Sequence, residues 1–129
     1  MIITKNKNGV GRAGEYIACK HLRKKGYKIL EKNKRESHKE TDIIATNQEY
    51  IVFVEVKTRS VDDDLYSNYG TPASAVDKRK QANLIFAARS YLASHHTNKQ
   101  PRIDVIEVYL SKKTGKLLEI NHIENAYFA

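Results

Sequence analysis

A chain of 129 residues with 40% apolar and 29% charged side chains has the make-up of one globular domain with a modest core, which excludes a disordered or fibrous protein. Its formal net charge of +8 points to a polyanionic partner. A single cysteine, Cys19, excludes an internal disulfide and a multi-cysteine zinc site. The charge is uneven: residues 1–39 hold 12 Lys or Arg against 3 Asp or Glu, net +9, and the remainder is net −1. That asymmetry suits a nucleic-acid footprint, with a merely lysine-rich solvated surface as the plain alternative. No stretch approaches the ~20 apolar residues of a membrane span. The start, Met1 to Asn6, lacks the apolar run of a signal peptide. A cytoplasmic protein with no membrane partner is expected, and a lone cysteine suits that reducing compartment.

In chain order, residues 1–8 read as a flexible basic lead. A first helix is predicted from Val10 to Lys25, with Gly26 in the favoured C-terminal position and Arg23, Lys24 and Lys25 at the negative end of the dipole. Glu15, Ala18, Cys19 and Leu22 fall on one stripe of that helix. Strands are predicted at Tyr27–Lys32, Asp42–Thr46 and Tyr50–Thr58, the last nearly continuous in apolar residues, as a central strand covered on both faces would be. Asn47–Glu49 makes a short hairpin connection between the latter two, which should pair antiparallel. Residues 59–73, rich in Asp, Ser, Asn, Gly and Pro, read as a long loop. Ser74–Asp77 resembles a capping box opening a second helix that carries Leu84, Ala88, Tyr91 and Leu92 inward and ends near His95. Pro101 then breaks the chain. Arg102–Leu110 reads as a buried strand, Thr114-Gly115 as a turn and Lys116–Ile123 as a last strand. A strand, a helix and another apolar strand imply a right-handed parallel crossover. The expected fold is α/β: a single domain over 1–129 with a mixed sheet flanked by helices.

The chemistry concentrates in Glu40-Thr41-Asp42-Ile43-Ile44-Ala45 and Ile51-Val52-Phe53-Val54-Glu55-Val56-Lys57. Glu55 and Lys57 are two apart on a strand and share a face. Asp42 joins them if the two strands pair. Two carboxylates about 4 Å apart repel by roughly 4 kcal/mol at an effective dielectric of about 20. A hard divalent cation, Mg2+ or Mn2+, relieves that repulsion, held by Asp42, Glu55 and a backbone carbonyl such as that of Val56. Such a site suits metal-assisted phosphodiester hydrolysis, with Lys57 holding the attacking water or stabilising the added negative charge. Glu15, on the stripe facing the sheet, is a further carboxylate in want of a partner. Taken singly, each residue has a plain structural reading: a solvated Glu-x-Lys edge, a turn cap at Asp42, an ion pair of Glu15 with Arg12 or Lys57.

Asp42 followed by Glu55-Val56-Lys57 resembles the PD-(D/E)xK motif of the restriction-endonuclease-like superfamily. The chain as a whole is similar to the small bacterial YraN-like family (uncharacterised protein family 0102). The matching stretches are Gly11-Arg12-Ala13-Gly14-Glu15, Gly26-Tyr27-Lys28-Ile29-Leu30, Glu40 to Ala45, Phe53 to Arg59, Gly70-Thr71-Pro72-Ala73 and Arg102-Ile103-Asp104-Val105. Archaeal Holliday-junction resolvases share a similar arrangement more distantly. The resemblance implies a restriction-endonuclease-like fold, Asp42 and Glu55 as metal ligands, Lys57 as the catalytic lysine and Glu15 as a helix carboxylate near the metal. It also matches Arg59 to a basic position that can touch a phosphate. Thr41 stands where the motif's name has proline, and Lys39 where the family pattern usually has glycine; neither removes a ligand.

The expected activity is that of a Mg2+- or Mn2+-dependent endonuclease acting on DNA, with branched or structured DNA among the candidate substrates. The alternative is a nucleic-acid-binding module without turnover. A homodimer would suit symmetric cutting of two strands. Arg12, Arg59 and Lys80 are the candidate nucleic-acid contacts, Lys80 reading equally as part of a solvated helix face. Tyr66 and Tyr69 can stack on bases or pack locally. Asp104 reads as a structural hydrogen-bonding group or a site residue, and Cys19 as a small core residue. His95 and His96 read as helix C-terminal residues, and His21, His38 and His122 as isolated.

Overall fold

The computed structural model describes residues 9–62 and 78–127. Seven elements follow in order: α1 (Gly9–Lys24), β1 (Lys28–Glu36), β2 (Lys39–Thr46), β3 (Tyr50–Val61), α2 (Lys78–Ser94), β4 (Gln100–Ser111) and β5 (Leu117–Tyr127). The strands form one mixed sheet in the order β1-β2-β3-β4-β5. The β3–β4 pair is parallel and the other three pairs are antiparallel. The chain crosses from β3 to β4 through α2, and the helices cover opposite faces of the sheet.

Local chemistry explains the joints. At the end of α1, Gly26 adopts φ +94°, a conformation that costs glycine little. Its N–H reaches the Arg23 carbonyl and the Tyr27 N–H the Leu22 carbonyl, both at 3.0 Å, a Schellman closure. In the β2–β3 hairpin, Asn47 Oδ1 accepts the N–H groups of Glu49 (2.9 Å) and Tyr50 (2.7 Å), an Asx-type turn that sets the register.

Alternation along the strands divides the core in two. Ile43, Ala45, Val52, Val54, Ile106, Val108 and Leu110 pack under Ala18, Cys19 and Leu22 of α1. Ile44, Ile51, Phe53 and Ile103 pack under Leu84, Ala88 and Tyr91 of α2, with Tyr127 against them. Cys19 is thus a core residue, and burial pushes its thiol pKa up. At Gly14, α1 approaches β3 so closely that a Cβ there would lie 1.8 Å from Thr58 Oγ1.

The strands outrun their expected limits. β3 continues through Val61, so residues 59–61 belong to the sheet and not to a loop. The cause is the parallel ladder, which runs unbroken from Tyr50–Gln100 to Val61–Ser111 and holds polar residues in extended form. Pro101 lies inside β4, opposite Ile51; one residue from the strand's start, its missing N–H is tolerated. β1 extends to Glu36 and β2 starts at Lys39, both polar stretches that the hydrophobic pattern alone does not mark. The basic lead, the Tyr66 and Tyr69 segment and the Ser74–Asp77 capping pattern lie outside the described residues.

Candidate active site

β2 and β3 pair from Thr46–Ile51 to Ile43–Val54. Beyond that point Asp42 Oδ2 accepts the N–H of Val56 at 2.9 Å. A side-chain carboxylate thus takes a donor that a continued ladder would give to the β2 backbone. The backbone pairing of the two strands ends here. Asp42, two residues from Ile44, and Glu55, two from Phe53, both lie on the α2 face. Asp42 is 0% exposed and Glu55 4%.

The first turn of α2 completes the group. Lys80 Nζ donates to Glu55 Oε2 at 2.9 Å. Burial opposes the Lys80 ammonium, but its hydrogen bond to Glu55, the attraction of Glu55 and that of Asp42 outweigh the cost and raise its pKa. Lys57, beside Glu55 on the same strand, moves the other way. Burial lowers its pKa first, and the neighbouring Lys80 ammonium adds to the fall against the pull of Glu55. The structure therefore brings Asp42, Glu55, Lys57 and Lys80 together, with Lys57 more ready than a free lysine to give up its proton and Lys80 less so.

Glu15 does not join them. α1 packs on the opposite face of the sheet, and Glu15 Oε1 accepts from Asn33 Nδ2 of β1 at 3.0 Å. The expectation of a third carboxylate beside Asp42 and Glu55 is corrected. The apolar stripe of a helix shows which residues face the sheet, but the choice of face is a tertiary matter. Arg12 is exposed in the same α1 groove, with Glu15, Arg23 and Lys32. Two of the three expected nucleic-acid contacts, Arg12 and Lys80, thus sit on opposite faces. The third, Arg59, lies on the α2 face of β3, its Nη2 3.8 Å from Glu107 Oε2.

Glu107 was not foreseen. It is fully buried, stands opposite Lys57 in the parallel ladder, and accepts the Tyr109 hydroxyl at 2.6 Å. Burial and that bond push the Tyr109 pKa up to about 12. Asp104 is resolved as structural, on the α1 face. It receives both Arg102 Nε and Nη2 at 2.9 Å, the Asn125 N–H at 2.9 Å and His122 Nε2 at 2.7 Å. His122 Nδ1 in turn lies 3.0 Å from His21 Nε2, so two histidines read as isolated form one chain with Asp104. No sequence spacing announces this, because 101 residues separate the rings. His95 closes α2 as expected, with Nδ1 3.0 Å from the Tyr91 carbonyl and its ring stacked on Tyr91.

A residue of the quoted Glu40–Ala45 run also proves relevant. Glu40 is two before Asp42, and its side chain is 6% exposed. It lines a cavity of about 210 Å³ together with Glu55 and Lys80. Among the described residues, no group of three His, Cys, Asp or Glu side chains stands close enough to hold a metal ion. No described helix is long and apolar enough to cross a membrane.

Fold and site together define a class: an α/β domain with a mixed five-stranded sheet, whose central strand offers a Glu-x-Lys pair toward a helix beside an aspartate from the next strand. The chain belongs to the uncharacterised protein family UPF0102, the YraN-like family, whose model matches residues 14–108. It is 48% identical over 123 residues to a UPF0102 protein of Caldanaerobacter subterraneus subsp. tengcongensis, covering 95% of this chain and 97% of the relative. It is 43% identical over 121 residues to one of Alkaliphilus oremlandii, covering 92% and 97%. A Clostridioides difficile relative is 42% identical over 123 residues, covering 95% and 99%.

Proposed function

We propose that this chain is a Mg2+- or Mn2+-dependent endonuclease-like protein that hydrolyses phosphodiester bonds in DNA, branched or structured DNA among its candidate substrates. The observation that carries the reading is the convergence of Asp42, Glu55 and Lys57 on one face where the β2–β3 pairing ends. The residues fit a hard dication. Two carboxylates and the Val56 carbonyl are an oxygen-only set, and Lys80 already supplies the positive charge that the pair demands. A magnesium ion held by two carboxylates would keep positions for water and a phosphate oxygen. When bound, the metal supplies Lewis-acid polarisation of the phosphodiester and acidifies a water.

The chain's own residues do the remainder. Asp42 is held in place by the Val56 N–H. Lys57, held beside Glu55 with its pKa lowered by burial and by Lys80, can orient the attacking water or stabilise the negative charge added in the transition state. Lys80, whose ammonium now pairs with Glu55, would in a metal-loaded site be available to a non-bridging phosphate oxygen. Arg59, two residues beyond Lys57 on the same face of β3, can reach a neighbouring phosphate. The uneven net charge supports a polyanionic substrate.

The test is incubation of the chain with plasmid, flap and four-way-junction DNA in Mn2+. Cleavage is expected for the parent and a loss of at least ~100-fold for Lys57→Ala. Cleavage that persists in Lys57→Ala overturns the role of that lysine. Salt-dependent binding with no cleavage of any substrate favours a binding module in its place.

A further inference from the structure

Glu40 presents a physical problem that the proposed chemistry does not solve. Its side chain is 6% exposed, and among the described residues neither carboxylate oxygen has a hydrogen-bond donor. Arg35 Nη1 lies 4.0 Å from Oε1, beyond hydrogen-bonding reach. A buried carboxylate without donors is unfavourable, so a ligand that supplies N–H or O–H groups would be favoured there. The oxygens line the cavity of about 210 Å³, which lies between the β1–β2 turn and the first turns of α2.

The rest of the lining states what kind of ligand. Arg35, Lys39 and Lys80 border the cavity, and Asn83 adds an amide. This rim attracts an anion such as a phosphate and discourages a second dication. One turn along α2, Phe86 is 45% exposed, with the Lys39 ammonium 5.2 Å from its ring centroid. An exposed aromatic ring at a cationic rim is a stacking platform for a base. Inside, a carboxylate accepts without donating, through two oxygens in a fork. Among the DNA bases, guanine presents two parallel donors, N1–H and N2–H, that match such a fork. In a duplex those donors are paired to cytosine.

We propose that the Glu40 cavity is a subsite for an unpaired guanine base, with Glu40 accepting from N1–H and N2–H, Phe86 stacking at the mouth, and Arg35 and Lys39 meeting the adjoining phosphates. Glu40 is then a specificity-determining residue that selects single-stranded or displaced guanine next to the acidic pocket, and it would favour structured DNA. The inference rests on the nucleic-acid reading above but not on cleavage.

The experiment is therefore run in EDTA. Fluorescence anisotropy compares the full chain on thymidine decamers of equal length and charge that carry one central dG, deoxyinosine, dA or dT. The parent should bind the dG strand about tenfold more tightly than the dT strand. Deoxyinosine, which keeps N1–H and lacks the 2-amino group, should fall between them. Glu40→Gln should erase the order, the dG and dT strands then binding alike. Equal affinity of the parent for dG and dT overturns the proposal without any variant, so a folding defect in Glu40→Gln does not shield it. A dG preference undiminished in a well-folded Glu40→Gln overturns it too. A parent that binds none of the four strands removes the nucleic-acid reading as well. Mn2+ binding, measured by electron paramagnetic resonance without DNA, should be equal in parent and Glu40→Gln; its loss in the variant makes Glu40 a metal ligand and overturns the guanine assignment.

Discussion

Substituting Gly14 by alanine tests how α1 is seated against the strand that carries the site. A Cβ at position 14 would lie 1.8 Å from Thr58 Oγ1, 2.7 Å from Cγ2 and 2.8 Å from Cβ. Rotating Thr58 about χ1 moves the first two atoms but not the third, so the helix or β3 itself must shift. Overpacking of this kind costs about 1–3 kcal/mol, occasionally more, and the absence of a rotamer escape argues for the upper end. Alanine's better helix propensity returns up to about 1 kcal/mol. The net expectation for Gly14→Ala is a loss of about 2 kcal/mol, or roughly 8 °C in Tm for a domain of this size. Urea denaturation of the parent, Gly14→Ala, Thr58→Gly and the double variant forms a double-mutant cycle. Thr58→Gly removes all three clashing atoms and should recover most of the loss, whereas Thr58→Ala, which keeps the Cβ at 2.8 Å, should recover only part. Gly14→Ala within 0.5 kcal/mol of the parent, or a cycle showing no coupling, would refute the close approach of α1 to β3. Because Thr58 follows Lys57, a shift of β3 should also reduce any metal-dependent cleavage.

Arg102→Ala leaves the buried Asp104 without its bidentate partner and should destabilise the chain by roughly 3–4 kcal/mol in urea titration; a loss below 1 kcal/mol would show that His122 and the Asn125 N–H suffice. Burial alone would raise the Asp104 pKa, but the bonds from His122, Arg102 and Asn125 and the Arg102 charge hold it below the ordinary carboxylate value. Stability from this group is therefore full above that ordinary value and lost as pH falls through the depressed one, so acid unfolding should begin at higher pH in Asp104→Asn than in the parent. Burial, with the charges of His122 and Lys25, depresses the His21 pKa below its ordinary 6.5. The folded state resists its protonation, and stability should decline as pH drops from about 7 to 5. Thermal melts across that interval should show a shallower decline in His21→Gln, and an identical slope would remove His21 as the cause.

The amino-acid order alone carried the helices, the strand cores and the antiparallel β2–β3 hairpin, because each depends on local periodicity, a glycine cap or a short turn. It also carried Asp42, Glu55 and Lys57, since charges in apolar strands stand out and a two-residue spacing puts Glu55 and Lys57 on one face whatever the fold. The ends of β1, β2 and β3 were less legible: polar residues stay extended there because a neighbouring strand bonds them, and the neighbour lies far away in the chain. Only the packed sheet decided that α1 and α2 take opposite faces. That choice sends Glu15 to Asn33 and brings Lys80 onto Glu55. It likewise joins His21 to His122 and aligns Glu107 with Lys57. These contacts rest on register and on the face each helix covers, quantities set by burial of the whole apolar surface at once. No single stretch of sequence encodes them.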